Sequence, residues 1–183
     1  MPPPRSLDAT KIHVGDVVLV ASGNPITERM QEWLGYGASS HWTHVAGCIG
    51  AYDLVEGQVP KARVAHLQND YVAKGDAIKV LRRARESDND RIKVALWWVT
   101  LNNLPYDFFN LIWFGLALFG RPILWLRNRF QDKHREICSE LIADGFYKQG
   151  YNLFDSRPAS NILPADYDRL PGFQEVTDIW LSA

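Results

Sequence analysis

Two thiols and five imidazoles set the nucleophilic and metal chemistry open to this 183-residue chain. Cys138 lies in REICSELIADGFYKQG, just before a segment that reads as a helix closed by Gly150. If that helix starts near Ser139, the thiol sits at its N-terminus, where the positive end of the dipole favours thiolate. A free thiol ionises only near pH ~8.5, so such assistance matters at neutral pH. The competing reading is a small hydrophobe tucked under a helix, the usual place of a free cysteine.

A thiol nucleophile needs a base, and the base needs an orienting partner. His44 lies within the strand-like run WTHVAG, and Glu56 ends the run DLVEG. With Gly50 at the centre of a hairpin turn, His44 and Glu56 stand directly opposite on one face of the sheet, within reach of each other. A one-residue slip would separate them. His13, His41, His66 and His134 have no comparable partner and read as surface or loop histidines. Cys48 shares the strand parity of His44 but has no helix terminus, so it reads as a core thiol.

No CxxC or HxxxH spacing joins these residues, so no metal site is expected. GxxxxGK[ST] and GxGxxG are both missing, which leaves nucleotide binding without support; no cofactor is expected.

The elements that must position these residues follow from periodicity. IHVGDVVLV, Ile12 to Val20, reads as a buried strand, and Asn24-Pro25 opens a helix in which Ile26, Met30, Trp33 and Leu34 recur at helical spacing. The hairpin around Gly50 comes next, then strands at KARVAHL and AIKVLRR. SDNDRIKVALWWVTLNN reads as a helix capped by Ser87 or Asp88. The tail carrying Pro158, Pro164 and Pro171 reads as mostly irregular. Strands with helices around them give an α+β class, and the length suits one domain over 1–183.

One compositional anomaly interrupts this order. FFNLIWFGLALFG, Phe108 to Gly120, is uncharged and apolar, yet shorter than the ~20 residues that span a bilayer. Arg121, Arg127, Arg129, Lys133 and Arg135 follow it, together with Trp125 and Phe130. An insertion of this kind, at about 108–135, suits a helix lying in a membrane interface, with Trp113, Phe114, Leu118 and Trp125 as acyl-chain or lipid contacts. A buried core helix followed by a solvated basic face, or a contact with a protein partner, are the alternatives.

Hydrophobic residues make up 46% and charged residues 22%, an ordinary globular balance. A net charge of -1, with no interleaved stacking platforms in the basic run, argues against nucleic acid as a partner. MPPPRSLDAT has no apolar core of a signal peptide, so a cytoplasmic or peripheral-membrane location is expected, or export by a signal-less route.

Taken in order, GDVVLV, SHWTHVAGCIG, LVEG, LPYDFFN and ICSELIADGFY resemble the permuted papain-like cysteine hydrolases. These are the YiiX/YaeF-like amidase branch of the NlpC-type superfamily, related to lecithin:retinol acyltransferase-like enzymes. The resemblance covers roughly residues 12 to 170. It implies a circularly permuted papain-like fold, an antiparallel sheet or small barrel packed against helices, with the nucleophile helix behind the sheet. It further implies Cys138 as nucleophile, His44 as base and acid, and Glu56 as the orienting residue. Tyr106 matches the tyrosine of the PYD-like motif beside the active site and would help stabilise the oxyanion, with Asp107 structural. The insertion between Tyr106 and Cys138 is longer and more apolar than a peptide-cleaving member implies. An acyl-lipid ester or N-acyl amide is therefore the expected substrate, with a cell-wall peptide amide as the alternative. A non-catalytic interaction module is the further alternative.

Overall fold

VVLV at Val17–Val20 is apolar at every position because both faces of its strand are covered. In the computed structural model, which describes residues 6–58, 60–102, 138–154, 157 and 162–181, this strand (β1, Val17–Ala21) is central to a six-stranded sheet. The others are β2 (His44–Cys48), β3 (Asp53–Glu56), β4 (Arg63–His66), β5 (Ala77–Arg83) and β6 (Phe173–Glu175). Their order is β4-β3-β2-β1-β5-β6, every pairing is antiparallel, and the sheet is open.

Among the described residues five helices accompany it: α1 (Pro25–Trp33), α2 (Leu67–Asp70), α3 (Asp88–Thr100), α4 (Cys138–Lys148) and α5 (Pro164–Tyr167). The α+β class expected from the strand and helix periods is the architecture observed. β1 starts at Val17, five residues later than the apolar run suggests. Gly15, at φ +89°, turns the chain there, and a Cβ on it would come within 2.7 Å of Arg91 Cβ. The tail is also more regular than its prolines suggest. Pro164 opens α5, a position that suits proline, and Phe173–Glu175 adds an edge strand to β5.

The two faces of the sheet carry separate cores. Val17, Leu19, Val45, Val55 and Leu81 pack with Trp98 of α3 and Leu141, Ile142 and Phe146 of α4. Val18, Val20, Ala46, Cys48, Leu54 and Val80 pack with Leu7, Leu67, Tyr71 and Ile179. On the helix side, the Trp98 indole occupies a slot between Gly47 of β2 and Gly145 of α4, and a Cβ on either glycine would overlap it. Trp98 Nε1 donates to the Ile142 carbonyl at 3.2 Å. This contact sets how closely α4 lies to β2.

Helix α1 is capped as its sequence predicts: Asn24 Oδ1 accepts from the amides of Ile26 and Thr27. Its buried residues are Thr27, Met30 and Gln31, while Ile26, Trp33 and Leu34 are exposed. The apolar period marked the helix, but the buried face is anchored by an amide. Gln31 Nε2 donates to the carbonyls of Ser40 at 2.6 Å and Trp42 at 3.0 Å, and its Oε1 accepts from the Ala165 amide at 3.0 Å. That anchor fixes the chain leading into His44. The caps of α3 agree with expectation too, with Ser87 Oγ accepting from the Asp90 amide at 3.2 Å.

Candidate active site

The β2–β3 hairpin pairs Ala46 with Glu56, Gly47 with Val55 and Cys48 with Leu54. His44 and Glu56 are therefore not directly opposite, as a turn centred on Gly50 would make them. The turn is centred one residue later, at Ala51, and is held by the amides of Ile49 and Gly50 donating to the Asp53 carbonyl. The register moves by two residues, not one, so both side chains stay on the same face as diagonal neighbours. A histidine and a glutamate are long enough to close that diagonal. His44 Nε2 donates to Glu56 Oε2 at 3.0 Å.

Glu56 is fully buried. Burial alone would raise its pKa, but the hydrogen bond and charge of His44, with donors from Tyr71 and Arg63, hold it down at about 2. Arg63 Nε donates to Oε1 at 2.9 Å, and the Tyr71 hydroxyl donates to Oε2. Arg63 stands directly opposite Glu56 in the β3–β4 pairing. Tyr71 follows α2 and also stacks on His44, with ring centroids 6.1 Å apart.

Cys138 is the first residue of α4 and only 8% exposed. It belongs to the helix-side core, whereas His44 projects to the other face with Ala46 and Glu56. His44 is the first residue of β2 and Cys138 the first of α4, and the two side chains interact. Burial pulls the His44 pKa down, but a hydrogen bond with Cys138, its charge and the Glu56 carboxylate outweigh this and raise it to about 10. With Nε2 occupied by Glu56, Nδ1 is the ring nitrogen left for the thiol.

The first turn of α4 is pinned by the C-terminal segment. Ser139 Oγ donates to the Ile162 carbonyl at 2.5 Å, and the Tyr167 hydroxyl donates to the Ser139 carbonyl at 2.7 Å. The segment is tied in turn to the stretch before β2. The Tyr36 hydroxyl donates to Asp166 at 2.7 Å, and Ser39 Oγ donates to Asp168 at 2.8 Å. One polar network thus locates both the nucleophile helix and the approach to His44.

Cys48 lies in the opposite core from Cys138. Its thiol donates to the Gly50 carbonyl at 3.0 Å, and burial, with Asp16 nearby, pushes its pKa up to about 12. The remaining histidines serve local structure: His41 Nδ1 contacts the Ala38 carbonyl, and His66 ends β4 and accepts from the Asn69 amide. Among the described residues no group of three or more His, Cys, Asp or Glu side chains is arranged to hold a metal ion. Tyr106, Asp107, Trp113, Phe114, Leu118, Trp125 and His134 lie outside the described residues.

The structure therefore brings together Cys138, His44 and Glu56. Sequence reasoning missed Arg63 and Tyr71. Arg63 was open to discovery, since it faces Glu56 once the β3–β4 register is known. Tyr71 reaches the site through a short helix and turn that carry no pairing signal. No protein-family model matches this chain, and no curated protein matches it in sequence.

Proposed function

We propose that the chain is a thiol hydrolase or acyltransferase working through an acyl-thioester on Cys138. The observation that carries this reading is the convergence of Cys138, His44 and Glu56. The thiol is at a helix start, it interacts with the imidazole and helps raise its pKa, and a buried carboxylate lies 3.0 Å from Nε2. That is a nucleophile, a base and an orienting group in the order such chemistry requires.

The thiol proton rests on His44 Nδ1, so the nucleophile is thiolate beside imidazolium. The thiolate attacks a carbonyl carbon, and the new C–S bond pushes the carbonyl electrons onto oxygen. The backbone N–H of Cys138 is a donor for that oxyanion, since the first N–H groups of a helix have no intrahelical acceptor. The tetrahedral intermediate collapses, and the leaving alcohol or amine takes the proton from imidazolium. Water, or another acceptor hydroxyl or amine, then gives its proton to His44 and attacks the thioester, releasing the acyl group and restoring the thiol.

The acyl donor we assign is a lipid ester or N-acyl amide presented at a membrane surface. Support for this comes from the uncharged run Phe108 to Gly120 and the arginines that follow it. The experiment is to incubate wild type and Cys138→Ala with phospholipid vesicles and with peptidoglycan fragments, and to identify products by mass spectrometry. Free fatty acid or transferred acyl chains from wild type alone support the assignment. Peptide products from wild type alone keep the mechanism and change the substrate to a cell-wall amide. Equal activity in Cys138→Ala would end the mechanism.

A further inference from the structure

A carboxylate with no exposure to water is expected to protonate unless something compensates. Glu56 has three donors: His44 Nε2 from β2, Arg63 Nε from β4 and the Tyr71 hydroxyl after α2. Only His44 belongs to the proposed proton path, so two donors are unexplained by it. Arg63 is placed for this by the strand pairing, opposite Glu56, while its side chain remains 41% exposed. It therefore brings a full charge from the solvent edge to a buried oxygen. Among the described residues Asp70 also acts on this cluster, beside Arg63, and its Oδ2 already accepts from the His66 amide at 2.8 Å.

Resting on the Cys138–His44 reading, we propose that Arg63 and Tyr71 are positioning residues that keep Glu56 an acceptor and never a base. With its two oxygens saturated by Arg63 and Tyr71, Glu56 orients the imidazole without removing its Nε2 proton. The proton taken from Cys138 then stays on Nδ1, where the leaving group can collect it. Without Arg63, Glu56 protonates at a mildly acidic pH. A neutral carboxyl no longer supports imidazolium, and the thiolate partner is lost with it. The low value held by Glu56 agrees with this division of labour.

The test reads Cys138 directly and needs no substrate. Alkylation by iodoacetamide is followed by mass spectrometry of the Cys138 peptide from pH 4 to 9 in wild type, Arg63→Met, Arg63→Lys and Tyr71→Phe. Loss of one nearby opposite charge moves a carboxylate by up to about three units. Arg63→Met should therefore keep its rate at pH 8 and lose up to about tenfold at pH 4, relative to wild type. Arg63→Lys should restore the acid side, and Tyr71→Phe should shift it in the same direction by less. A drop that is uniform across pH, or an unchanged profile, overturns the proposal. If Arg63→Met does not fold, Tyr71→Phe decides by the same criterion. A wild-type profile with the midpoint of a free thiol, about 8.5, removes the Cys–His pair itself and this proposal with it.

Discussion

At the residue scale the site is an argument about where one proton sits. His44 holds its proton up to about pH 10 in the folded chain, against about 6.5 when free, because Cys138 and Glu56 outweigh the cost of burial. A raised histidine stabilises the fold fully below its unfolded value and loses that contribution as pH rises toward the folded one. Glu56 runs the other way: held at about 2 against 4.5, it stabilises the fold above 4.5 and loses this as pH falls. Both contributions are complete together only between about pH 4.5 and 6.5. Thermal melting of wild type and His44→Gln from pH 6 to 10 checks the sign. The wild-type midpoint should fall more steeply than that of the variant, and parallel curves would contradict it. Which residues form this pair was legible in the sequence, because a hairpin turning near Gly50 puts His44 and Glu56 on one face, and a register shift of two residues keeps them there. Their register was not, because a turn gains or loses residues without leaving a trace in the apolar pattern.

At the scale of elements, the site depends on how α4 lies against β2. Trp98 fills the slot that Gly47 and Gly145 leave open, and its N–H is satisfied by the Ile142 carbonyl. Adding a methyl group on either side forces the indole or the helix to move. Gly47→Ala and Gly145→Ala should each lower stability by about 1–3 kcal/mol, measured by urea unfolding. A change below ~0.5 kcal/mol would show that the slot is looser than described. The sequence showed α4 and β2 clearly, but not this contact between them. A glycine inside a helix or strand marks a close approach only when its neighbour is known. Similarly, α1 was legible from its cap and period, while its buried anchor Gln31 was not, because amides are ordinarily read as solvent-facing. The short α5 and β6 were hidden by the prolines of the tail, and Tyr167 of α5 is what holds the Ser139 carbonyl beside the thiol.

At the scale of the whole molecule, the two thiols differ only because the fold makes them differ. The open antiparallel sheet keeps Cys48 in one core and brings Cys138 to the sheet end where His44 waits. Among the described residues no helix is long and apolar enough to cross a membrane. The central claim is that assembly of the fold turns Cys138 into a nucleophile. It is tested most directly by a thiol-reactive probe with an acyl-like warhead, applied at pH 6 to folded and to urea-unfolded protein. Labelling of each thiol is counted separately by peptide mass spectrometry. Folded protein should label at Cys138 at least about tenfold faster than at Cys48, a ratio worth ~1.4 kcal/mol of barrier. Unfolding should erase the difference, and His44→Ala should abolish it without unfolding. Equal, slow labelling of Cys48 and Cys138 in the folded protein would contradict the account.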